Sequence, residues 1–181
     1  MELASLAQKI RDDIARGSRA LQRLETSTLK KLITDLQSQD PAIVSQAILI
    51  ATHSSHSETI LAPTLTQLLK TELGMKDTIL LLNAARLHVV EGSFKAGERL
   101  SHEFLEALRS KLYHPRAEVR EWTLRLVDQC GTQSIVFRSD LDKIKPRFWQ
   151  LVKAEWRVVL ELITFIQRKW QPHERPTTKN P

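Results

Sequence analysis

Residues 114–122 run His114-Pro115-Arg116-Ala117-Glu118-Val119-Arg120-Glu121-Trp122, and 37 residues on from Ala117 the same pattern returns as Ala154-Glu155-Trp156-Arg157. Asp40-Pro41, Asp77-Thr78 and His114-Pro115 keep that interval of 37. A fixed period of this size marks stacked helical hairpins, in which no unit buries its apolar face alone. A capping side chain followed by proline at the first helical position is a strong start signal. The interval therefore predicts inner helices beginning near Pro41, Thr78, Pro115 and Glu155.

Outer helices fill the gaps. Leu29, Leu32, Ile33 and Leu36 follow i, i+3, i+4, i+7 after the capping residues Thr26-Ser27. Leu61, Leu65, Leu68 and Leu69 make the second, closed near Gly74 after a polar loop from His53 to Glu58. Leu100, Phe104, Leu105, Leu108 and Leu112 make the third. Asp77 is expected to cap the inner helix that runs to about Val90 with Gly92 as its stop, and Gly131 to stop the helix opened by Pro115. Ahead of all this, Leu3, Leu6, Ile10, Ile14, Leu21 and Leu24 form one stripe over residues 3–24, an amphipathic capping helix with Arg11, Arg16, Arg19 and Arg23 off the stripe.

At the other end, one continuous helix from Pro146 to Trp170 would put Glu155 among Phe148, Val159 and Leu162. A break at Ala154-Glu155 removes that conflict, giving a short outer helix over Pro146–Val152 and an inner helix from Glu155 to about Trp170. The polar, Pro-rich residues 171–181 are expected to be a disordered tail.

With these hairpins placed, residues 114–122 resemble the HEAT-repeat signature, a Pro-containing turn followed by Val-Arg. Asp40-Pro41 and Asp77 are weaker copies, with Val44 one residue early and Leu82-Asn83 standing for Val-Arg. The resemblance covers roughly residues 26–170 and implies an all-α fold, an α–α superhelix of three to four HEAT-like hairpins behind an N-terminal cap of residues 1–24. Residues 1–170 then form a single domain. It also implies a ladder contact between Asp77 and Arg120, with His114 replacing the aspartate of the next rung, to Arg157. Periodicity separately sets Arg120 between Leu124 and Val127 in angle, where a charge needs an internal partner.

Composition limits the function classes. With 41% hydrophobic and 27% charged residues and five glycines, the chain suits an ordinary helical protein. The single cysteine, Cys130, forms no internal disulfide and is expected to be a small buried hydrophobe. The first residues lack a signal-peptide pattern and no run reaches about 18 apolar residues, so the expected location is cytoplasmic, without a membrane anchor. The net charge of +6 is uneven, with seventeen Lys/Arg against twelve Asp/Glu after residue 90.

Chemistry finds little support. His53, His56 and Glu58 are too few for a zinc site, Ser55-His56 has no nucleophile elbow, and no phosphate-binding glycine loop is present. No catalytic residue, metal or cofactor is expected. The leading expectation is a non-catalytic scaffold that binds a partner protein or peptide on its inner-helix surface through Asn83, Arg86, Glu121, Arg125 and Asp128. Val158, Leu162 and Phe165 form an apolar row where the preceding inner helix carries Glu121, Arg125 and Asp128, covered either by residues 138–152 or by a partner or second copy.

The alternative is nucleic-acid binding through Lys143, Lys145, Arg147, Lys153, Arg157 and Arg168, a basic segment interleaved with Phe148 and Trp149. Helical alkylpurine DNA glycosylases share the architecture, but no residue here matches their catalytic aspartate. Periodicity assigns Trp122, Trp149, Trp156 and Trp170 mostly to the core.

Overall fold

The computed structural model describes residues 3–18 and 21–170. Arg19 and the expected tail 171–181 lie outside them. The described residues are mainly helical and form no strand; an isolated parallel bridge joins Gln22 and Ser54. The chain packs as two compact units that divide between Lys111 and Leu112.

In the first unit, α1 (Leu3–Ala15) buries Leu3, Leu6, Ala7 and Ile10. It ends well short of residue 24, because Gly17 adopts a left-handed φ of 69° and the Ser18 N–H closes on the Asp13 carbonyl. The chain then extends, and Gln22 exchanges backbone hydrogen bonds of 2.8 Å with His53 and Ser55. Leu24 is buried, but Ile14 and Leu21 are exposed. Next, α2 (Thr26–Leu36) has Glu25, not Thr26-Ser27, at its cap. α3 (Pro41–Thr52) starts at the expected residue, with the Asp40 carboxylate accepting the Ala42 N–H at 2.8 Å.

A 3₁₀ turn at Thr59–Leu61 leads into α4 (Ala62–Leu69). α5 (Met75–Ala85) begins three residues before Thr78, capped at Gly74. Asp77 is therefore inside the first turn, where it complements the helix dipole and accepts the Ser45 hydroxyl at 2.8 Å. Gly92 is not the stop that the sequence suggests. The helix continues through a π-helical turn, Arg86–Glu91, into α6 (Gly92–Lys95) and ends at Gly97, φ 71°.

Gly92 is needed for packing instead. A Cβ there would lie 2.9 Å from the Thr59 Cγ2 methyl. Gly92→Ala should thus destabilise the first unit by about 1 to 2 kcal/mol, and Thr59→Ser, which removes that methyl, should restore most of the loss in chemical denaturation. Equal losses in the single and double variants would show that the contact is not the cause.

His88 lies in the π turn and is fully buried. The Glu58 N–H donates to its Nδ1 at 2.8 Å, which puts the ring proton on Nε2, 2.9 Å from the Ala51 carbonyl. The ring thus ties the end of α3 to the loop before the 3₁₀ turn. The last helix of this unit, α7 (His102–Leu112), reaches the division between the units. Glu103 near its start takes Lys70 Nζ and Gln67 Nε2, each at 2.6 Å, and the buried Lys111 donates to the Thr71 carbonyl at 2.9 Å.

In the second unit, α8 (Ala117–Gln129) starts two residues after Pro115 and stops at Cys130-Gly131, where Gly131 has φ 59°. A 3₁₀ segment (Gly131–Phe137), α9 (Arg138–Lys143) and a second 3₁₀ turn (Phe148–Val152) lead to α10 (Ala154–Trp170). The break at Ala154-Glu155 is present. Val119, Thr123, Leu126 and Val127 of α8 and Trp156, Val159, Ile163 and Ile166 of α10 are buried, and the two helices pack against each other.

They run in the same sense. Arg120 meets Trp156 near their starts and Asp128 meets Lys169 near their ends. The first unit repeats this relation, since Ser45 meets Asp77 near the starts of α3 and α5 while Ala51 meets His88 further along. Cys130 is buried at the end of α8, where burial, reinforced by Asp128, pushes its thiol up to about 12; its S–H donates to the Leu126 carbonyl.

Candidate functional site

The second unit presents one face built by α8 and α10 together. Glu121, Arg125 and Asp128 share a side of α8, and Val158, Leu162, Phe165 and Lys169 share a side of α10, through the helical spacing of three and four. Arg125 donates to the Glu121 carboxylate from Nη2 at 2.8 Å and Nε at 3.1 Å, and its guanidinium lies 5.9 Å from the Trp122 ring centroid. Lys169 joins the helices, donating to Asp128 at 2.5 Å with its ammonium 4.3 Å from the Phe165 centroid. Val158 and Leu162 are half-buried and Phe165 is 51% exposed. An apolar strip edged by ion pairs resembles the core and rim of a protein interface, and exposed pairs worth about 0 to 1 kcal/mol exchange readily for a partner's charges.

Asn83 and Arg86 belong to the first unit. Asn83 donates to the Ile79 carbonyl at 3.1 Å and Arg86 pairs with Glu91. The two ladder residues are each engaged within their own unit: Asp77 by Ser45, and Arg120 by the His114 carbonyl at 2.5 Å and by the Trp156 ring, 5.0 Å away.

A second feature of the same unit is the turn between α9 and α10. Ile144 is buried beneath it. Asp142 accepts Gln167 Nε2 of α10 at 3.0 Å and Lys145 Nζ at 2.8 Å, and these bonds, that of Lys145 foremost, hold its carboxyl below the usual range. The turn is closed twice, by the Arg147 N–H on Gln150 Oε1 and the Gln150 N–H on the Arg147 carbonyl, both at 2.8 Å. On this frame Phe148 is 87% exposed, Trp149 64% and Val152 80%. Lys143, Lys145, Arg147, Lys153, Arg157 and Arg168 are all exposed, and Arg147 lies 5.2 Å from the Trp149 centroid.

No protein-family model, curated protein or solved structure matches this chain. Among the described residues no group of three or more His, Cys, Asp or Glu is placed to hold a metal ion, and no helix is long and apolar enough to cross a membrane. His53 and His56 are engaged locally, with the Leu49 carbonyl and the Ser55 hydroxyl.

The tryptophans correct the sequence reading. Trp156 is buried and Trp170 is half-buried with its Nε1–H on Ser134 Oγ at 2.9 Å, but Trp122 and Trp149 are exposed. Periodicity fails at Trp149 because it lies in a 3₁₀ turn, where a 100° step does not apply. Sequence reasoning counts Lys169 only within the basic C-terminal segment; its charge bridges α8 and α10, and its spacing of four from Phe165 was the available signal for that role.

Proposed function

We propose that this chain is a non-catalytic interaction module of divergent HEAT-like hairpins, whose α8/α10 face binds a partner protein. One observation carries the reading: Phe165 stands half-exposed in a row with Val158 and Leu162, bounded by ion pairs. The parallel pairing of α3 with α5 and of α8 with α10 supports the repeat assignment, since successive inner helices of stacked hairpins run in one sense.

Pull-down from native cell extract, with and without nuclease, tests it. Tagged wild type should retain a defined protein that survives nuclease, and Leu162→Asp/Phe165→Asp, checked for unchanged helical content, should lose it by tenfold or more, as expected for truncating a central apolar anchor. Retention by both chains alike would reject this face as the site.

A second reading, nucleic-acid binding through Lys143, Lys145, Arg147, Lys153, Arg157 and Arg168, is favoured by the exposed aromatic rings set among these cations. Base excision receives no support beyond the architecture it would share.

A further inference from the structure

We propose that the turn at residues 147–152 is a stacking platform for single-stranded nucleic acid, with bases lying on Phe148 and Trp149 and phosphates on the surrounding cations. The proposal rests on the second reading above and adds what that reading lacks, a choice of strand state and two residues that make it.

The rings are presented and not packed. Phe148 and Trp149 are the first two residues of a short 3₁₀ turn, 87% and 64% exposed. With Val152 they leave three large apolar side chains of one short turn open to water, and an apolar patch of this kind marks an interaction site. The turn beneath them is fixed in advance by the reciprocal Arg147–Gln150 bonds and by Asp142, which Gln167 anchors to α10. A fixed turn spares the ligand the cost of ordering it.

Charge selects the occupant. Lys143, Lys145, Arg147 and Lys153 are exposed within five residues of Phe148, and Arg157 follows Lys153 by one helical turn. The acidic residues nearest in sequence are Glu155, half-buried in the first turn of α10, and Asp142, already bonded to Lys145 and Gln167, so cations outnumber them around the turn. The ligand is therefore anionic as well as apolar-faced. Arg147, 5.2 Å from the indole centroid, can extend a stack with its own planar group while contacting a phosphate. In a duplex the base faces are already stacked on each other, and only unpaired bases offer them to protein rings.

Fluorescence anisotropy with labelled 15-mer oligonucleotides on the full chain decides the matter. Single-stranded DNA should bind at least tenfold more tightly than duplex of the same sequence. Phe148→Ala/Trp149→Ala should weaken single-strand binding by tenfold or more, the loss expected of two stacked bases, while leaving duplex binding nearly unchanged. Lys143→Ala/Lys153→Ala should instead flatten the salt dependence, by about 1.4 in the log–log slope. Equal affinity for single strand and duplex, with the aromatic variant silent, would overturn the stacking platform and leave charge-based nucleic-acid binding standing. No binding of either at low salt would overturn both. Binding to vesicles containing phosphatidylserine in place of oligonucleotides would assign the tip to an anionic lipid surface and also overturn the proposal.

Discussion

Trp156→Ala is expected to destabilise the second unit by about 3 to 5 kcal/mol, the range for removing a buried aromatic side chain. Trp156 is only 8% exposed at the first turn of α10, and it supports more than apolar contact. The half-buried Arg120 guanidinium lies over its ring, in an environment where burial disfavours the charge. Without the indole, Arg120 keeps the His114 carbonyl but loses the face that shields its cation. Trp156→Phe, which retains a ring, should lose about half as much. All four tryptophans lie after residue 112, so tryptophan fluorescence during chemical denaturation reports on this unit selectively. A loss below about 1 kcal/mol for the alanine variant would contradict the packing described.

Replacing His88 should act on the first unit instead. His88→Leu fills the space but orphans the Glu58 N–H and the Ala51 carbonyl, and buried unpaired groups cost about 1 to 3 kcal/mol each. The expected loss is about 3 kcal/mol in far-UV circular dichroism, with little change in the tryptophan signal. Wild type should also show a matching acid sensitivity. Burial lowers the His88 pKa, against weaker raising effects from the Ala51 bond and from Glu58 and Glu91. Above pH of about 6.5 the ring is neutral whether folded or unfolded, so stability there is independent of it. Below that value the unfolded chain takes up the proton first, and stability falls by up to about 1.4 kcal/mol per pH unit until the folded pKa is reached. His88→Leu should flatten this slope; an unchanged slope would mean that other groups set it.

Much of the helical order was legible because its signals are local. Asp40-Pro41 marks its helix with a cap oxygen and a fixed φ, and the conflict at Glu155 marks the last one. Errors arose where tertiary contact outranks local preference. Gly92 resembles a stop but is small because Thr59 presses on it, and Asp77 resembles a cap but serves Ser45 from one turn inside. His88 carried no motif, yet its carbonyl partner Ala51 lies 37 residues before it, the interval that also separates Asp40 from Asp77. For the surfaces, spacing alone identified Val158, Leu162 and Phe165 as a row. Phe148, Trp149 and Val152 could not be placed that way, since their exposure follows from a turn closed by Gln150 and not from a helical face.

Under the two proposals the second unit carries two distinct binding surfaces, the α8/α10 face and the 147–152 tip. The most direct measurement is a crossed comparison of Leu162→Asp/Phe165→Asp with Phe148→Ala/Trp149→Ala, each assayed for nuclease-resistant protein capture and for single-stranded oligonucleotide affinity. Selective loss is predicted, with the first variant losing protein capture alone and the second losing oligonucleotide affinity alone, each by at least about tenfold. Loss of both activities in either variant, with helical content intact, would contradict two separate surfaces, and loss of neither would contradict both.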